Sequence, residues 1–103
     1  KAEPNNGTYL DTYAWILFEK GKYVEARIYI DQALLNGGDK SSVVVEHGGD
    51  IYYHVGEMEK ALEYWIQAEK LAAESADDEN EARDEKELKL LKKKIKNKKY
   101  YAE

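Results

Sequence analysis

A group of polar residues that could bind a metal ion or a proton lies near the middle of the chain: His47, Asp50 and His54. On a helix, their spacing of three and then four residues places the side chains on one face. Neutral imidazoles and a carboxylate are ligands that zinc accepts. However, two helical turns separate His47 from His54, roughly 10 Å along the axis, which is too far for one ion. A pH-sensitive groove is a better hypothesis than a metal site, but we favour the simplest interpretation, polar residues that line a groove.

Signatures of enzyme active sites are missing from the sequence. It has no glycine-rich phosphate loop after a strand, no nucleophile elbow and no HExxH motif. Its 21 acidic residues will form chance carboxylate pairs on a helical surface. We therefore expect a protein that is not an enzyme, with no catalytic residue, no metal and no cofactor. The absence of cysteine also excludes disulfides and thiol chemistry.

A second charged feature is the lysine-rich run Lys92–Lys99, KKKIKNKK. Such a run could contact an anionic surface such as acidic lipid or RNA. It could equally be the solvated end of a helix, where lysines complement the helix dipole. We favour the second interpretation, and the net charge of −5 argues against general nucleic-acid binding. No segment has the unbroken apolar length of a transmembrane span.

Amphipathic helices joined in pairs would position these residues. In residues 7–38, apolar residues recur at helical spacing in two sets: Leu10, Tyr13, Ala14 and Leu17, then Tyr23, Ala26, Ile30, Ala33 and Leu34. Gly21 lies between the sets and lets the chain reverse. Because either helix alone would leave an apolar stripe in water, we expect an antiparallel hairpin of residues 8–20 and 23–36.

The same pattern returns 35 residues later. The shift pairs Ala14 with Gly49, Leu17 with Tyr52, Gly21 with Gly56, Ala26 with Ala61, Ile30 with Trp65 and Ala33 with Ala68. Small residues thus replace small ones and apolar residues replace apolar ones. A second hairpin is therefore predicted at residues 42–55 and 58–74.

This register resembles the tetratricopeptide repeat (TPR), whose pattern is W-x2-L-G-x2-Y, then A-x3-F, then P, at a period of 34. The first copy reads Leu10-x2-Tyr13-Ala14-x2-Leu17 and Ala26-x3-Ile30, and the second reads Val45-x2-Gly48-Gly49-x2-Tyr52 and Ala61-x3-Trp65. The resemblance covers roughly residues 7–74. It departs from the pattern where Gly38 and Ala73 replace the closing proline.

The resemblance implies one all-α domain, a right-handed solenoid (an α-α superhelix) of antiparallel hairpins with about five helices. We expect the units to be 1–6, the tail of a preceding repeat; 7–40 and 41–75, two repeats; 80–97, a capping helix; and 98–103, a tail. Leu88, Leu91 and Ile95 form the narrow apolar stripe that a capping helix needs. Thr8 and either Ser41 or Ser42 are the expected N-caps.

In this family the inner helices usually line a concave groove that binds partners. The matching residues are Asp11, Trp15, Phe18, Glu19, Glu46, His47, Asp50, Tyr53 and His54. Aromatic anchors with acidic neighbours predict a partner peptide of apolar and basic character. The acidic residues also argue against a clamp for a partner's terminal carboxylate. The alternative is that Trp15 and Phe18 simply pack against a neighbouring helix.

The leading hypothesis is therefore a non-enzymatic protein–protein interaction scaffold, the C-terminal part of a longer TPR protein. The first alternative is a self-association module, a homodimer formed through exposed residues of the first hairpin such as Tyr9 and Ile16. A weaker alternative is binding of an anionic surface through Lys92–Lys99. The sequence leaves the partner and the cellular compartment undetermined.

Overall fold

The computed structural model describes residues 7–75 and 83–101, and these form five α-helices. The helices are α1 (Gly7–Glu19), α2 (Tyr23–Leu35), α3 (Ser42–His54), α4 (Met58–Glu74) and α5 (Glu85–Asn97), with a short 3-10 helix at Gly38–Lys40. No strand occurs in the described residues. The all-α prediction is confirmed, and the bounds of α1 to α4 agree with the predicted ones within one residue.

Two helix ends differ from expectation. Helix α1 already includes Gly7, so Thr8 lies inside the helix and is not its N-cap. Helix α5 begins only at Glu85, because Asp84 caps it by accepting a hydrogen bond from the backbone N–H of Lys86 at 3.1 Å. The predicted start of this helix at residue 80 and the segment 1–6 lie outside the described residues.

The turns of the two hairpins have closely similar backbone geometry. Gly21 and Gly56 adopt positive φ angles of 79° and 91°, a conformation that favours glycine. The corresponding hydrogen bonds also recur 35 residues apart: Lys22 N to Leu17 O and Glu57 N to Tyr52 O at 2.9 Å, and Gly21 N to Phe18 O at 3.0 Å and Gly56 N to Tyr53 O at 3.1 Å. Equal backbone geometry at equivalent positions follows from the repeated sequence.

Small residues let the paired helices approach closely and enclose a few large ones. Ala14, Ala26, Ala33, Ala61 and Ala68 are fully buried, as are the large side chains of Trp65, Ile30, Ile51, Leu91 and Val45. Gly49 is needed for this packing, because a Cβ atom there would lie 2.4 Å from Cδ1 of Trp65. The alanines and the tryptophan predicted to face inward are thus in the core.

Successive helices also pack on one another beyond each hairpin. Helix α3 packs on α2 and on α1, and α5 packs on α4. The hydroxyl of Tyr52 donates to Asp31 at 2.6 Å, which links α3 to α2. Ser41 caps α3, as predicted, by accepting a hydrogen bond from the backbone N–H of Val44. Among the described helices, none combines the length and apolar character that crossing a bilayer requires.

Candidate functional site: a cleft between α1, α3 and α5

A cleft of about 410 Å³ opens between α1, α3 and α5. Its lining residues are Trp15 and Glu19 of α1; Val43, Glu46, His47 and Asp50 of α3; and Arg83, Glu87, Leu90, Lys94, Tyr100 and Tyr101 in or beside α5. Helices α1 and α3 each form one wall of the cleft, and α5 with its flanking residues forms the third. Pockets that combine apolar walls with a few polar groups are the usual place for a ligand.

A stack of rings forms the α1 wall. The Trp15 ring lies 4.0 Å from the His47 ring and 4.5 Å from the Phe18 ring, within 19° of parallel to both. Nδ1 of His47 lies 2.7 Å from Oδ1 of Asp11. Because a carboxylate oxygen only accepts, this nitrogen carries the hydrogen and donates it. The pair fixes the imidazole against the indole and joins α3 to α1.

Buried ion pairs form the floor of the cleft. Nζ of Lys94 donates to Oε2 of Glu46 at 2.6 Å and to Oδ1 of Asp50 at 2.8 Å. The same Asp50 oxygen accepts a hydrogen bond from Nε1 of Trp65 at 3.0 Å. All three charged side chains are at least 92 % buried. Helix α5 is thus anchored to α3 by a lysine that is shielded from water.

Arg83 extends this network just before α5 begins. Its Nη2 donates to Oε1 of Glu46 at 2.5 Å and its Nε to Oε1 of Glu87 at 2.8 Å. Its Nη1 donates to the hydroxyl of Ser42 at 2.9 Å, and that hydroxyl donates to the backbone carbonyl of Ala68 at 2.7 Å. Arg83 therefore ties the chain before α5 to the start of α3. In the described residues, every buried side-chain nitrogen and oxygen has a hydrogen-bond partner.

Burial and ion pairing act in opposite directions on the pKa values of these groups. Burial alone would raise the pKa of Glu46, but Lys94 and Arg83 hold it below its ordinary value. At Asp50 burial dominates and raises the pKa to about 6, against the lowering effect of Lys94. Burial would lower the pKa of Lys94, but the two carboxylates keep it above its ordinary value. At neutral pH all three groups are therefore charged.

An aromatic cluster adjoins the cleft at the C-terminal ends of α1 and α3. The His54 ring lies 4.6 to 5.5 Å from the rings of Phe18, Tyr23, Tyr53 and Tyr100. Its Nδ1 donates to the backbone carbonyl of Asp50 at 2.8 Å, since a carbonyl only accepts. We interpreted 98–103 as a tail, yet Tyr100 within it packs back onto this cluster and reaches the cleft.

The residues predicted from the groove pattern divide into two groups. Trp15, Glu19, Glu46, His47 and Asp50 line the cleft. The remaining ones, Asp11, Phe18, Tyr53 and His54, support it from behind as ion-pair partner or aromatic cluster. For Phe18, the structure therefore agrees with the alternative that this side chain simply packs against neighbouring residues, because it is buried in the core.

The three residues considered as metal ligands, His47, Asp50 and His54, each form hydrogen bonds with different partners. His47 bonds to Asp11, Asp50 bonds to Lys94 and Trp65, and Nδ1 of His54 bonds to a backbone carbonyl. Within residues 7–75 and 83–101, no group of three or more histidines and acids is placed to hold a metal ion.

The contribution of α5 to the site does not follow from the groove pattern. We interpreted the run Lys92–Lys99 as solvated, which fits Lys92, Lys93, Lys96, Lys98 and Lys99 but not the buried Lys94. The signal was present, because Lys94 follows Leu91 by three residues and therefore shares its face of the helix. A lysine beside an apolar stripe needs an acidic partner when that stripe is buried.

The chain was also compared with known proteins. A scan of family models, a search of curated proteins and a search of solved structures each found no match to this chain.

Proposed function

We propose that this protein is a non-enzymatic interaction scaffold that binds a protein or peptide segment in the cleft. The observation that carries the proposal is the cleft itself, with Trp15 and Tyr100 half-buried in its walls. Partly buried aromatic side chains of this kind supply much of the affinity at protein interfaces. Five of the nine residues that the TPR resemblance assigns to its groove line this cleft.

A TPR-like solenoid is part of this proposal. It is supported by the turns at Gly21 and Gly56, which repeat each other in φ angle and hydrogen bonding. It is also supported by the packing of α3 on α2 and of α5 on α4. In such an array each unit contacts mainly its neighbours, and the inner helices form one continuous surface. We further propose that the chain belongs to a longer protein with additional repeats.

Ion pairing within the chain decides which acids are available to a partner. Glu46 and Asp50 are buried and held by Arg83 and Lys94, so they shape the floor and are not exposed for recognition. Glu19 on α1 is exposed at the edge of the cleft. A partner of apolar and basic character remains the best match to this surface.

A comparative pull-down tests the proposal. The intact chain is immobilised beside a Trp15→Ala variant, and the recovered proteins are identified by mass spectrometry. We expect partners recovered by the wild type to be lost with Trp15→Ala, because truncating an interface aromatic commonly costs about 2 kcal/mol or more. Ile66→Ala is the matched control, since Ile66 is an exposed hydrophobic residue on α4 that does not line the cleft. Identical recovery by all three proteins would refute a binding role for the cleft.

Self-association is the second candidate function, and one observation favours it. Tyr13 and Ile16 on α1 are 48 % and 44 % exposed. Their equivalents 35 residues later, Gly48 and Ile51, are buried, and a Cβ atom at Gly48 would meet Leu34 of α2 at 3.6 Å. The first hairpin thus exposes the kind of face that the second hairpin buries.

Light scattering over a concentration range tests this candidate. If copies pair through this face, the mass should rise with concentration and Ile16→Glu should abolish the rise. Ile66→Glu, which places the same charge on α4, should leave it unchanged. A constant monomer mass for the wild type would eliminate the candidate and leave the cleft proposal intact.

A further inference from the structure

The charges of the residues that line the cleft do not cancel. Its lining contains four carboxylates, Glu19, Glu46, Asp50 and Glu87, against two permanent cations, Arg83 and Lys94. The lining therefore has an excess of two negative charges when His47 is neutral. A cleft with walls of low dielectric concentrates such an excess into a local field that attracts cations.

Both cations are already occupied by this chain's own acids. Arg83 bonds to Glu46 and Glu87, and Lys94 bonds to Glu46 and Asp50. An incoming carboxylate or phosphate would have to displace one of these short ion pairs and leave a buried acid unpaired, which is costly. The lining therefore disfavours an anionic ligand even though it contains lysine and arginine.

The uncharged part of the lining suits a long side chain with a cationic end. Val43 and Leu90 provide apolar surface, and Trp15 and Tyr100 provide ring surfaces. Lysine and arginine side chains bury their methylene stems on such surfaces and place their heads beside rings and carboxylates. The chain itself shows the principle, because Nζ of Lys94 lies 5.1 Å from the centre of the Tyr100 ring.

We propose that the cleft takes a single lysine or arginine side chain of the partner as its anchor. The stem of that side chain lies against Trp15 and Leu90, and its head faces the exposed carboxylate of Glu19, since Glu87 is already paired with Arg83. The proposal rests on the proposed function and specifies the chemistry of the ligand. It distinguishes this cleft from a site for a purely apolar anchor or for a terminal carboxylate.

A titration followed by nuclear magnetic resonance tests the proposal. The probes are the N-acetyl methylamides of lysine, of norleucine and of glutamate, each added over the millimolar range to the intact chain. The indole N–H signal of Trp15 reports binding in the cleft. Trp65 is the internal reference, because its indole N–H is buried and bonded to Asp50. We expect the lysine derivative to shift the Trp15 signal and to bind more tightly than the other two.

Two matched variants identify the charge that is responsible. Glu19→Gln should weaken binding of the lysine derivative about two- to fivefold, the range expected for a partly exposed ion pair. Glu63→Gln, which removes an exposed acid from α4, should not change it. Equal binding of lysine and norleucine derivatives, preferential binding of glutamate, or no shift of Trp15 with any probe would each overturn the proposal.

The pull-down described above separates this inference from the proposed function. If partners are lost with Trp15→Ala while the lysine derivative fails to bind, the scaffold proposal stands and the cationic anchor is refuted. If the lysine derivative binds but no partner depends on Trp15, the cleft accepts a cation without the proposed scaffold role.

Discussion

Removal of the Lys94 ammonium is the most informative perturbation of this structure. In Lys94→Met the stem is replaced by an apolar chain of similar length, while Glu46 and Asp50 stay buried without the ammonium that pairs with both. The Asp50 carboxylate then keeps only the hydrogen bond from the Trp65 N–H, and Glu46 keeps only Arg83. Breaking a buried pair in this way typically costs about 3–5 kcal/mol.

That cost is large compared with the stability of the chain. For 103 residues the free energy of unfolding is about 5–15 kcal/mol. We therefore expect the urea midpoint of Lys94→Met, followed by circular dichroism, to fall markedly, with a loss of about 10–20 °C in melting temperature. Lys93→Met is the matched control, because this neighbouring lysine is exposed and loses only its cation–π contact with Tyr101, which should change stability by about 1 kcal/mol at most.

A neutralised triple variant checks the cause. Lys94→Met combined with Glu46→Gln and Asp50→Asn removes the charges of these three side chains together, while Arg83 keeps its ion pair with Glu87. We expect this variant to recover much of the lost stability. If Lys94→Met and Lys93→Met unfolded at the same urea concentration, α5 would not be anchored by its lysine. The cleft, which requires α5 as a wall, would then lose its basis.

Two further predictions follow from neighbouring positions on α3. Gly49→Ala should destabilise the fold by about 1–3 kcal/mol in urea titrations, because its Cβ would overlap Trp65. Gly48→Ala, whose nearest contacts lie at 3.6 Å, should be neutral or stabilise the fold by up to about 1 kcal/mol. Equal effects of the two substitutions would contradict the described packing. The raised pKa of Asp50 means that the folded chain binds this proton more tightly than the unfolded chain between about pH 4 and pH 6. The contribution of Asp50 to the free energy of unfolding therefore grows as the pH falls, by about 2 kcal/mol from pH 7 to pH 4.5. The difference in stability between wild type and Asp50→Asn should change by that amount over this pH range. A difference that does not depend on pH would refute the raised pKa of Asp50.

Local signals were sufficient to predict most of the fold. The helical periodicity placed most core residues of both hairpins, and Gly21 and Gly56 marked the two reversals. Tyr13 of the predicted apolar stripe is the exception, because its side chain is 48 % exposed. The repeat itself supplied the register, because every position could be checked against its equivalent. These features depend on residues a few positions apart, which is the range over which sequence patterns are informative.

The site depended on contacts that no local pattern encodes. Lys94 meets Glu46 and Asp50 across 48 and 44 residues of sequence. The position of Lys94 on the face of Leu91 indicates burial, but a lysine in a charged run is most often solvated, and no local pattern identifies the distant acids that pair with it. The role of Tyr100 was not predicted for a similar reason, since the type and position of a residue that follows a helix do not indicate which surface its side chain will contact.

The two tryptophans occupy contrasting surroundings, and this gives the molecule two separate optical reporters. Trp15 stands at the surface of the cleft beside an imidazole, whereas Trp65 is sealed in the interior with its N–H bonded to a carboxylate. Emission from a Trp15→Phe variant should come from Trp65 alone and shift to longer wavelength when α5 detaches. Wild-type emission should in addition respond to a ligand bound in the cleft, because it includes Trp15. Ligand binding and detachment of α5 can therefore be followed as two different fluorescence signals.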